Sequence, residues 1–314
     1  MIKSAICVSD LYKSFGRKKV LEGLSFSAPL NSIVGFLGPN GAGKTTTMRI
    51  LLGLIPSFKG SVSLMGEQMP KCRDKALESI GAVVENPNFI ETMTAAQNLK
   101  WFGSLYKAIS QERIQEVIEM TGLRDAADRR FGTFSSGMKQ RLGVAFGILH
   151  KPKLLILDEP TSGLDPAGRV QMREILMQIH DVEKTSIFLS SHLLDEVERM
   201  CDYVVIIDNG RTVAEGYVAN LLDNRMEHFE VRVNDESFAK AREVLEKMGD
   251  DGVSGVALAA RGLQFYVPAG QSGVVGRRLF ENNVELRAMI PLEASLEEMF
   301  IKLTAAGEQE NGKS

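Results

Sequence analysis

A lysine-bearing glycine loop, a pair of adjacent carboxylates and one histidine are the residues of this sequence that could act on a phosphate. The loop runs from Gly38 to Thr46 and has the spacing G-x-x-x-x-G-K-[ST] of a phosphate-binding loop. The N–H groups of such a loop turn inward around an anion, and the following helix adds the positive end of its dipole. The sequence therefore predicts a nucleotide-phosphate site.

Each residue of this loop is assigned to phosphate binding: Gly38, Pro39, Asn40, Gly41, Ala42, Gly43, Lys44, Thr45 and Thr46. Lys44 is expected to neutralise the β- and γ-phosphates, and the Thr45 hydroxyl to bind Mg²⁺. Thr46 is expected to help hold the α- and β-phosphates. The apolar run Ile33–Leu37 before the loop predicts a buried strand, and the apolar spacing after it predicts a helix.

The carboxylates Asp158 and Glu159 follow the apolar run Leu154–Leu157. Such a run is typical of a central parallel strand that is covered on both faces. Its carboxyl end is where ligands of open α/β sheets bind. His192 comes just after another predicted strand, Thr185–Leu189.

Strands at residues 5–8 and 20–28 are predicted to form an antiparallel edge, separated by a connection over residues 11–17. An aromatic side chain ahead of a phosphate loop can stack on adenine. Phe15 is the candidate, and Tyr12 is the alternative.

The periodicity over Thr92 to about Arg130 predicts helices, and residues 134–141 open another helix. Beyond about Asn220 the pattern predicts the order βαββαβ of a small ferredoxin-like α+β domain. A capping box at Ser295–Glu298 predicts a last helix, followed by a disordered tail. The predicted division is 1–220, with a helical insert at about 91–150, then 221–305 and a tail at 306–314.

Composition limits the partners. The net charge of −3 argues against nucleic acid as a partner. The three scattered cysteines predict reduced thiols in a cytosolic protein. The start of the sequence shows no secretory signal, and no apolar stretch approaches the roughly 18 residues of a membrane span. If the protein works at a membrane, we expect another chain to provide the spans.

Over about residues 3–220 the sequence resembles the nucleotide-binding subunit of an ABC transporter. The Walker A loop, the signature stretch at 134–138, the Walker B strand, the Asp165 turn and His192 occur in that family's order. The resemblance implies an α/β P-loop domain with an antiparallel β subdomain and a helical insert. It also implies ATP hydrolysis with Mg²⁺ by a peripheral subunit at the cytoplasmic face of the membrane. The implied partners are a transmembrane permease and a second ATP-binding subunit, expected to form a head-to-tail homodimer.

The resemblance also implies roles for single residues. Ser135 and Gly137 match the serine and second glycine of the LSGGQ signature, which meet the γ-phosphate held by the partner subunit. Phe134, Ser136 and Met138 depart from that signature. The resemblance implies that Asp158 binds Mg²⁺ through the water shell of the metal and that Glu159 activates the attacking water. It implies that His192 donates a hydrogen bond to the γ-phosphate and that Asp165 bridges the subunits.

Glu85 stands where the family usually has a glutamine that touches Mg²⁺ or its water and senses the permease, so it is a further candidate ligand of the metal. With the continuation Asn86-Pro87-Asn88-Phe89 it resembles an exporter subgroup associated with bacitracin resistance and lantibiotic self-protection. This predicts export of a peptide antibiotic. A general drug or lipid exporter remains open, as does a soluble ATPase switch acting on ribosomes or DNA. A small-molecule kinase would leave the signature and the Asp165 turn without a role.

Overall fold

The computed structural model describes residues 4–84, 88–106, 109–222, 226–259, 261–292 and 296. These residues form two compact units, the first extending to Val218 and the second beginning at Ala219. The predictions on Glu85, on the capping box at Ser295–Glu298 and on the tail lie outside the described residues.

The first unit opens with a long hairpin of β1 (Ser4–Phe15) and β2 (Lys18–Pro29). The prediction of a connection over residues 11–17 was wrong, because the strand continues to Phe15 and the chain turns at residues 16 and 17. The pairing of β1 with β2 shifts register between Val8 and Leu11, where Asp10 has a φ of 50°. Because a bulge of this kind breaks the alternation of buried and exposed side chains, the strand loses its pattern in the sequence.

The phosphate loop lies between a strand and a helix, as predicted. The elements that follow the hairpin are β3 (Ile33–Leu37), α1 (Lys44–Leu51), β4 (Lys59–Leu64), β5 (Glu67–Met69) and α2 (Arg73–Leu77). Strands β2, β1, β4 and β5 form a four-stranded antiparallel sheet in that order.

Helices dominate the segment after β6 (Ile80–Val83): α3 (Ala95–Gly103), α4 (Gln111–Met120) and α5 (Ser136–Gly147). Thr94 begins α3 with a capping box in which its side chain accepts from the Gln97 N–H. The ring of Phe89 packs edge-on against those of Phe102, Phe131 and Phe146, at centroid distances of 5.5, 5.2 and 6.1 Å. This aromatic cluster joins α3 to α5.

The unit continues with β7 (Leu154–Leu157), α6 (Pro166–Glu183), β8 (Ser186–Ser191), α7 (Leu194–Met200), β9 (Tyr203–Asp208) and β10 (Arg211–Tyr217). Helix α8 (Val218–Leu222) begins at the residue where the first unit ends. A six-stranded sheet has the order β10-β9-β3-β8-β7-β6, and only the β9–β10 pair is antiparallel. The carboxyl ends of β3, β7 and β8 therefore meet at one edge. That edge carries the phosphate loop, the paired acids and His192.

The second unit contains β11 (Met226–Val233), α9 (Asp235–Lys247), β12 (Ser254–Ala259), β13 (Gly262–Pro268), α10 (Ser272–Glu281) and β14 (Leu286–Leu292). Its strands form an antiparallel sheet in the order β12-β13-β11-β14. The element order is the predicted βαββαβ. The fold class predicted from the sequence, an α/β nucleotide-binding domain with a small α+β domain after it, is confirmed.

Candidate nucleotide-binding site

The phosphate loop depends on glycine at its last turn. Gly43, which precedes α1, has a φ of 109°, and a Cβ atom there would lie 2.6 Å from Cδ2 of Leu21. Gly41 is also left-handed, at a φ of 89°, and nothing lies within 4 Å of the place its Cβ would take. A side chain is therefore excluded at Gly43 by both conformation and space. The loop leaves an open concavity on the side of Gly41.

Lys44 lies at the base of this loop with 7% of its surface exposed. Its Nζ donates to the Gly38 carbonyl at 2.7 Å and lies 3.5 Å from Oε1 of Glu159. Thr45 and Thr46 line the same cavity of 570 Å³ as Asn40, Gly41 and Gly43. The cavity thus combines a buried cation, hydroxyl groups and the start of a helix, which together suit a polyphosphate.

Phe15, one of the two aromatic candidates for stacking on adenine, reaches this cavity and is 50% exposed. The Nζ of Lys13 lies 5.0 Å from the centroid of its ring and donates to the Ser57 hydroxyl at 2.8 Å. Tyr12 faces elsewhere: its hydroxyl covers Gly23, 2.9 Å from where a Cβ would lie. The geometry favours Phe15 over Tyr12.

The two acids are held by a buried serine of the neighbouring strand. Ser190 Oγ donates to Oδ1 of Asp158 at 2.6 Å and accepts the Glu159 N–H at 2.9 Å. Glu159 itself has a φ of 51°. A left-handed residue that is not glycine is strained, and such residues concentrate at functional sites.

Glu159 is also fixed through its side chain. Its Oε2 lies 2.6 Å from Nδ1 of His192, and its Oε1 faces the Lys44 ammonium. The histidine and the carboxylate therefore act as one hydrogen-bonded pair at the mouth of the phosphate loop. Among the described residues, the structure brings together the loop, Phe15, Asp158, Glu159 and His192.

Ser190 is the residue that sequence reasoning missed. It lies at the end of an apolar strand, where a serine gives no signal of its own. Its role follows only from the parallel register that pairs Leu157 with Leu189 and so sets Asp158 opposite Ser190.

The signature residues lie apart from the phosphate loop of their own chain. Ser135 caps α5 by accepting the Met138 N–H, and Asp165 caps α6 by accepting the Gly168 N–H at 2.9 Å. Ser135, Gly137 and Asp165 line a second cavity that none of the loop residues enters. Glu85, the predicted third metal ligand, lies outside the described residues.

The donor set suits a hard cation. Thr45 and Asp158 offer oxygen atoms, the ligands that Mg²⁺ prefers, and one Asp158 oxygen is already oriented by Ser190. The described residues contain no cluster of three or more histidine, cysteine or acidic side chains that could hold a metal by themselves. Mg²⁺ is usually bound by one or two protein groups together with phosphates and water.

Comparisons with known proteins agree on one family. The family model described as ABC transporter matches residues 21–162. The uncharacterized ABC transporter ATP-binding protein YdbJ of Bacillus subtilis is 38% identical over 99% of this chain and 98% of its own. The bacitracin transport ATP-binding protein BcrA of Bacillus licheniformis is 36% identical over 98% of this chain and 99% of its own.

A solved structure of the ATP binding subunit of an ABC transporter matches with a TM-score of 0.61 and 29% identity, over 69% of this chain and 92% of that one. No helix in the described part of the chain is long and apolar enough to cross a membrane. The chain belongs to the ATP-binding subunits of ABC transporters, a family of ATPases.

Proposed function

We propose that this chain hydrolyses ATP to drive the export of a peptide antibiotic, of the bacitracin or lantibiotic kind, through a separate transmembrane permease. The observation that carries the cargo class is the near full-length similarity to a bacitracin transport ATP-binding protein. The Glu85-Asn86-Pro87-Asn88-Phe89 stretch supports the same subgroup.

The cavity at the phosphate loop is the proposed ATP site. Phe15 stacks on the adenine, and the N–H groups of the loop surround the phosphates. Lys44 neutralises the β- and γ-phosphates from its buried position. Thr45 and Asp158, with Glu85 as a further candidate, would hold Mg²⁺, which offsets phosphate charge when bound.

Hydrolysis requires a water in line with the γ-phosphorus and a base for its proton. Glu159 supplies the base: a new bond forms between the water oxygen and the γ-phosphorus while the bond to the ADP oxygen breaks, and the proton passes to Glu159. The hydrogen bond to His192 orients this carboxylate in advance, and the bond that the Glu159 N–H donates to Ser190 Oγ holds its backbone. Because the Glu159 carboxylate and the γ-phosphate both only accept, His192 can bond to both at once only with a proton on each ring nitrogen.

A second copy of the chain is proposed to complete the site. Ser135 and Gly137 line a cavity separate from their own phosphate loop, so they are available to meet the γ-phosphate of a partner. A head-to-tail homodimer satisfies this, with Asp165 next to the subunit boundary.

The permease is proposed to dock on the helical insert, which places the subunit at the cytoplasmic face of the membrane. Trp101, Leu105 and Tyr106 are 50%, 74% and 37% exposed there. Neighbouring large apolar side chains on a surface mark contact sites for partners. This surface suits a partner that is recognised by apolar contact.

The Glu159→Gln variant tests both parts of the proposal. It is expected to bind ATP but to lose roughly 10²- to 10⁴-fold in turnover, the usual contribution of a positioned base. Purified from native membranes with Mg-ATP, it should bring a polytopic membrane protein with it, and cells carrying it should lose peptide-antibiotic resistance. Glu119→Gln, at an exposed position, is the matched control.

Wild-type turnover in Glu159→Gln would refute the catalytic assignment. Co-purification of ribosomes or nucleic acid in place of a membrane protein would support the soluble switch. If the Glu159→Gln variant removed the export of drugs or lipids and left peptide-antibiotic resistance unchanged, the general exporter would be supported.

A further inference from the structure

The turn that follows the two acids is anchored from outside by one side chain of α5. The turn contains two left-handed residues, Glu159 at a φ of 51° and Gly163 at 74°. Within it, the Ser162 N–H donates to the Glu159 carbonyl at 3.0 Å. The Ser162 carbonyl then accepts a hydrogen bond of 2.8 Å from Nε2 of Gln140. A displacement of the Ser162 backbone therefore moves the backbone of Glu159 through this hydrogen bond.

Gln140 lies on the same helix as the signature residues. Helix α5 begins at Ser136 with Ser135 as its cap, so Gln140 lies within one turn of Gly137 and within two turns of Ser135. Because a helix moves as a rigid element over so short a distance, a displacement of Ser135 carries the Gln140 backbone with it.

The position of Ser162 makes this link relevant to catalysis. Ser162 lines the phosphate-loop cavity together with Lys44 and His192. It also lines a third cavity, of 520 Å³, together with Gln140 and Glu159. The Gln140–Ser162 bond thus crosses between the signature helix and the catalytic turn.

Packing alone does not account for an amide at this position. Oε1 of Gln140 is buried and has no hydrogen-bond partner among the described residues. A buried acceptor without a partner lowers stability, so an apolar side chain of the same length would suit the fold as well or better. The amide is accounted for by the bond that its Nε2 donates.

We infer that Gln140 is a positioning residue through which the signature helix sets the place of Glu159. When the nucleotide of a partner subunit contacts Ser135 and Gly137, helix α5 shifts and moves the Ser162 carbonyl through the Gln140 hydrogen bond. This movement sets the Glu159 carboxylate in position to act on the attacking water. Each subunit thereby readies its own base in response to the nucleotide bound by the other. The inference rests on the proposed role of Glu159 as the base.

The test compares Gln140→Met, which keeps the length and removes the donor, with Gln140→Lys, which restores a donor. Gln140→Met is expected to lower kcat for ATP about 10-fold, a part of the roughly 10²- to 10⁴-fold effect of a positioned base. KM for ATP should change less than twofold, and the thermal midpoint should stay or rise. Gln140→Lys should recover at least half of the lost kcat. Gln115→Met, at an exposed position of α4, is the matched control.

Gln140→Met with the kcat of Gln115→Met would overturn the inference. So would equal losses in the Met and Lys variants, or a fall in kcat that only accompanies a fall in thermal midpoint. Failure of the proposed function is a separate result, since it would be seen as unchanged turnover in Glu159→Gln.

Discussion

At the scale of single residues, the site depends on Ser190, which is fully buried between the two acids. Its hydroxyl donates to Asp158 and accepts from the backbone of Glu159. Ser190→Ala would remove both bonds, and leaving a buried N–H without its partner costs about 1–3 kcal/mol. Release of the Asp158 carboxylate and of the Glu159 backbone should lower kcat by about 10- to 100-fold, because small misplacements of reacting groups are costly.

Steady-state ATPase assays and chemical denaturation check this expectation. Ser191→Ala is the neighbouring control, since that hydroxyl bonds to the Leu193 backbone and not to the acids. A Ser190→Ala protein with wild-type kcat would show that the serine is not needed to hold the acids.

The residues of the site divide by how much local pattern they carry. Lys44 and its loop could be predicted because glycine and lysine at this fixed spacing seldom occur except around a bound phosphate. Asp158 and Glu159 could be predicted because charged residues after an apolar strand stand out. Ser190 and Gln140 could not, because their roles arise from pairing between segments that are distant in sequence: Ser190 with Asp158, and Gln140 with Ser162.

At the scale of elements, a buried ion pair ties the helical insert to the end of α6. Nη2 of Arg113 on α4 donates to Oε2 of Glu183 at 3.1 Å, and its Nε donates to the Leu149 carbonyl at 3.2 Å. The two side chains are only 7% and 9% exposed. Burial opposes the charge of Arg113, but hydrogen bonds to Glu183 and Glu116 outweigh it and raise the pKa of the guanidinium. The guanidinium therefore keeps its charge in this buried position.

Removing one partner of this pair should be costly. Arg113→Met leaves the Glu183 carboxylate buried and unpaired, which is expected to lower the free energy of unfolding by about 3–5 kcal/mol. Arg124→Met, which breaks an exposed pair with Glu119, should cost about 1 kcal/mol or less. Urea denaturation measures both. Equal costs would mean that the Arg113 pair contributes no more than a surface pair.

Elements with strong periodicity were predicted, and weakly patterned ones were not. The central strands β3 and β7 are runs of fully buried apolar residues. The short strand β5, the helix α2 and the edge strand β10 were missed, because β5 and α2 each bury a single side chain and β10 buries none. An element that buries one or two faces has a recognisable pattern of apolar residues in its sequence. The structure of a short or edge element depends instead on hydrogen bonding to its neighbours, which leaves no such pattern.

At the scale of the whole molecule, each unit has a hydrophobic core of its own. In the first unit, Phe26, Phe36 and Phe188 pack with centroids 5.2 to 5.8 Å apart beneath the phosphate loop. In the second, Phe265, Leu245 and Leu279 are fully buried in a separate cluster. A unit with its own core and complete sheet satisfies the conditions for folding alone.

The two units should therefore separate without loss of the ATP site. A chain ending at Val218 contains all of the candidate site residues and should bind ATP with an affinity within about threefold of the full chain, since a factor of three is worth less than 1 kcal/mol. A fragment from Ala219 onward should unfold in one cooperative transition, as small single domains do. Circular dichroism and nucleotide titration of both pieces check this.

A disordered second fragment, or a first fragment that cannot bind ATP, would mean that contacts between the units contribute to the fold or to the site. Because the second unit carries none of the candidate catalytic groups, a fall in ATPase turnover with ATP binding intact would assign it to dimer support or regulation.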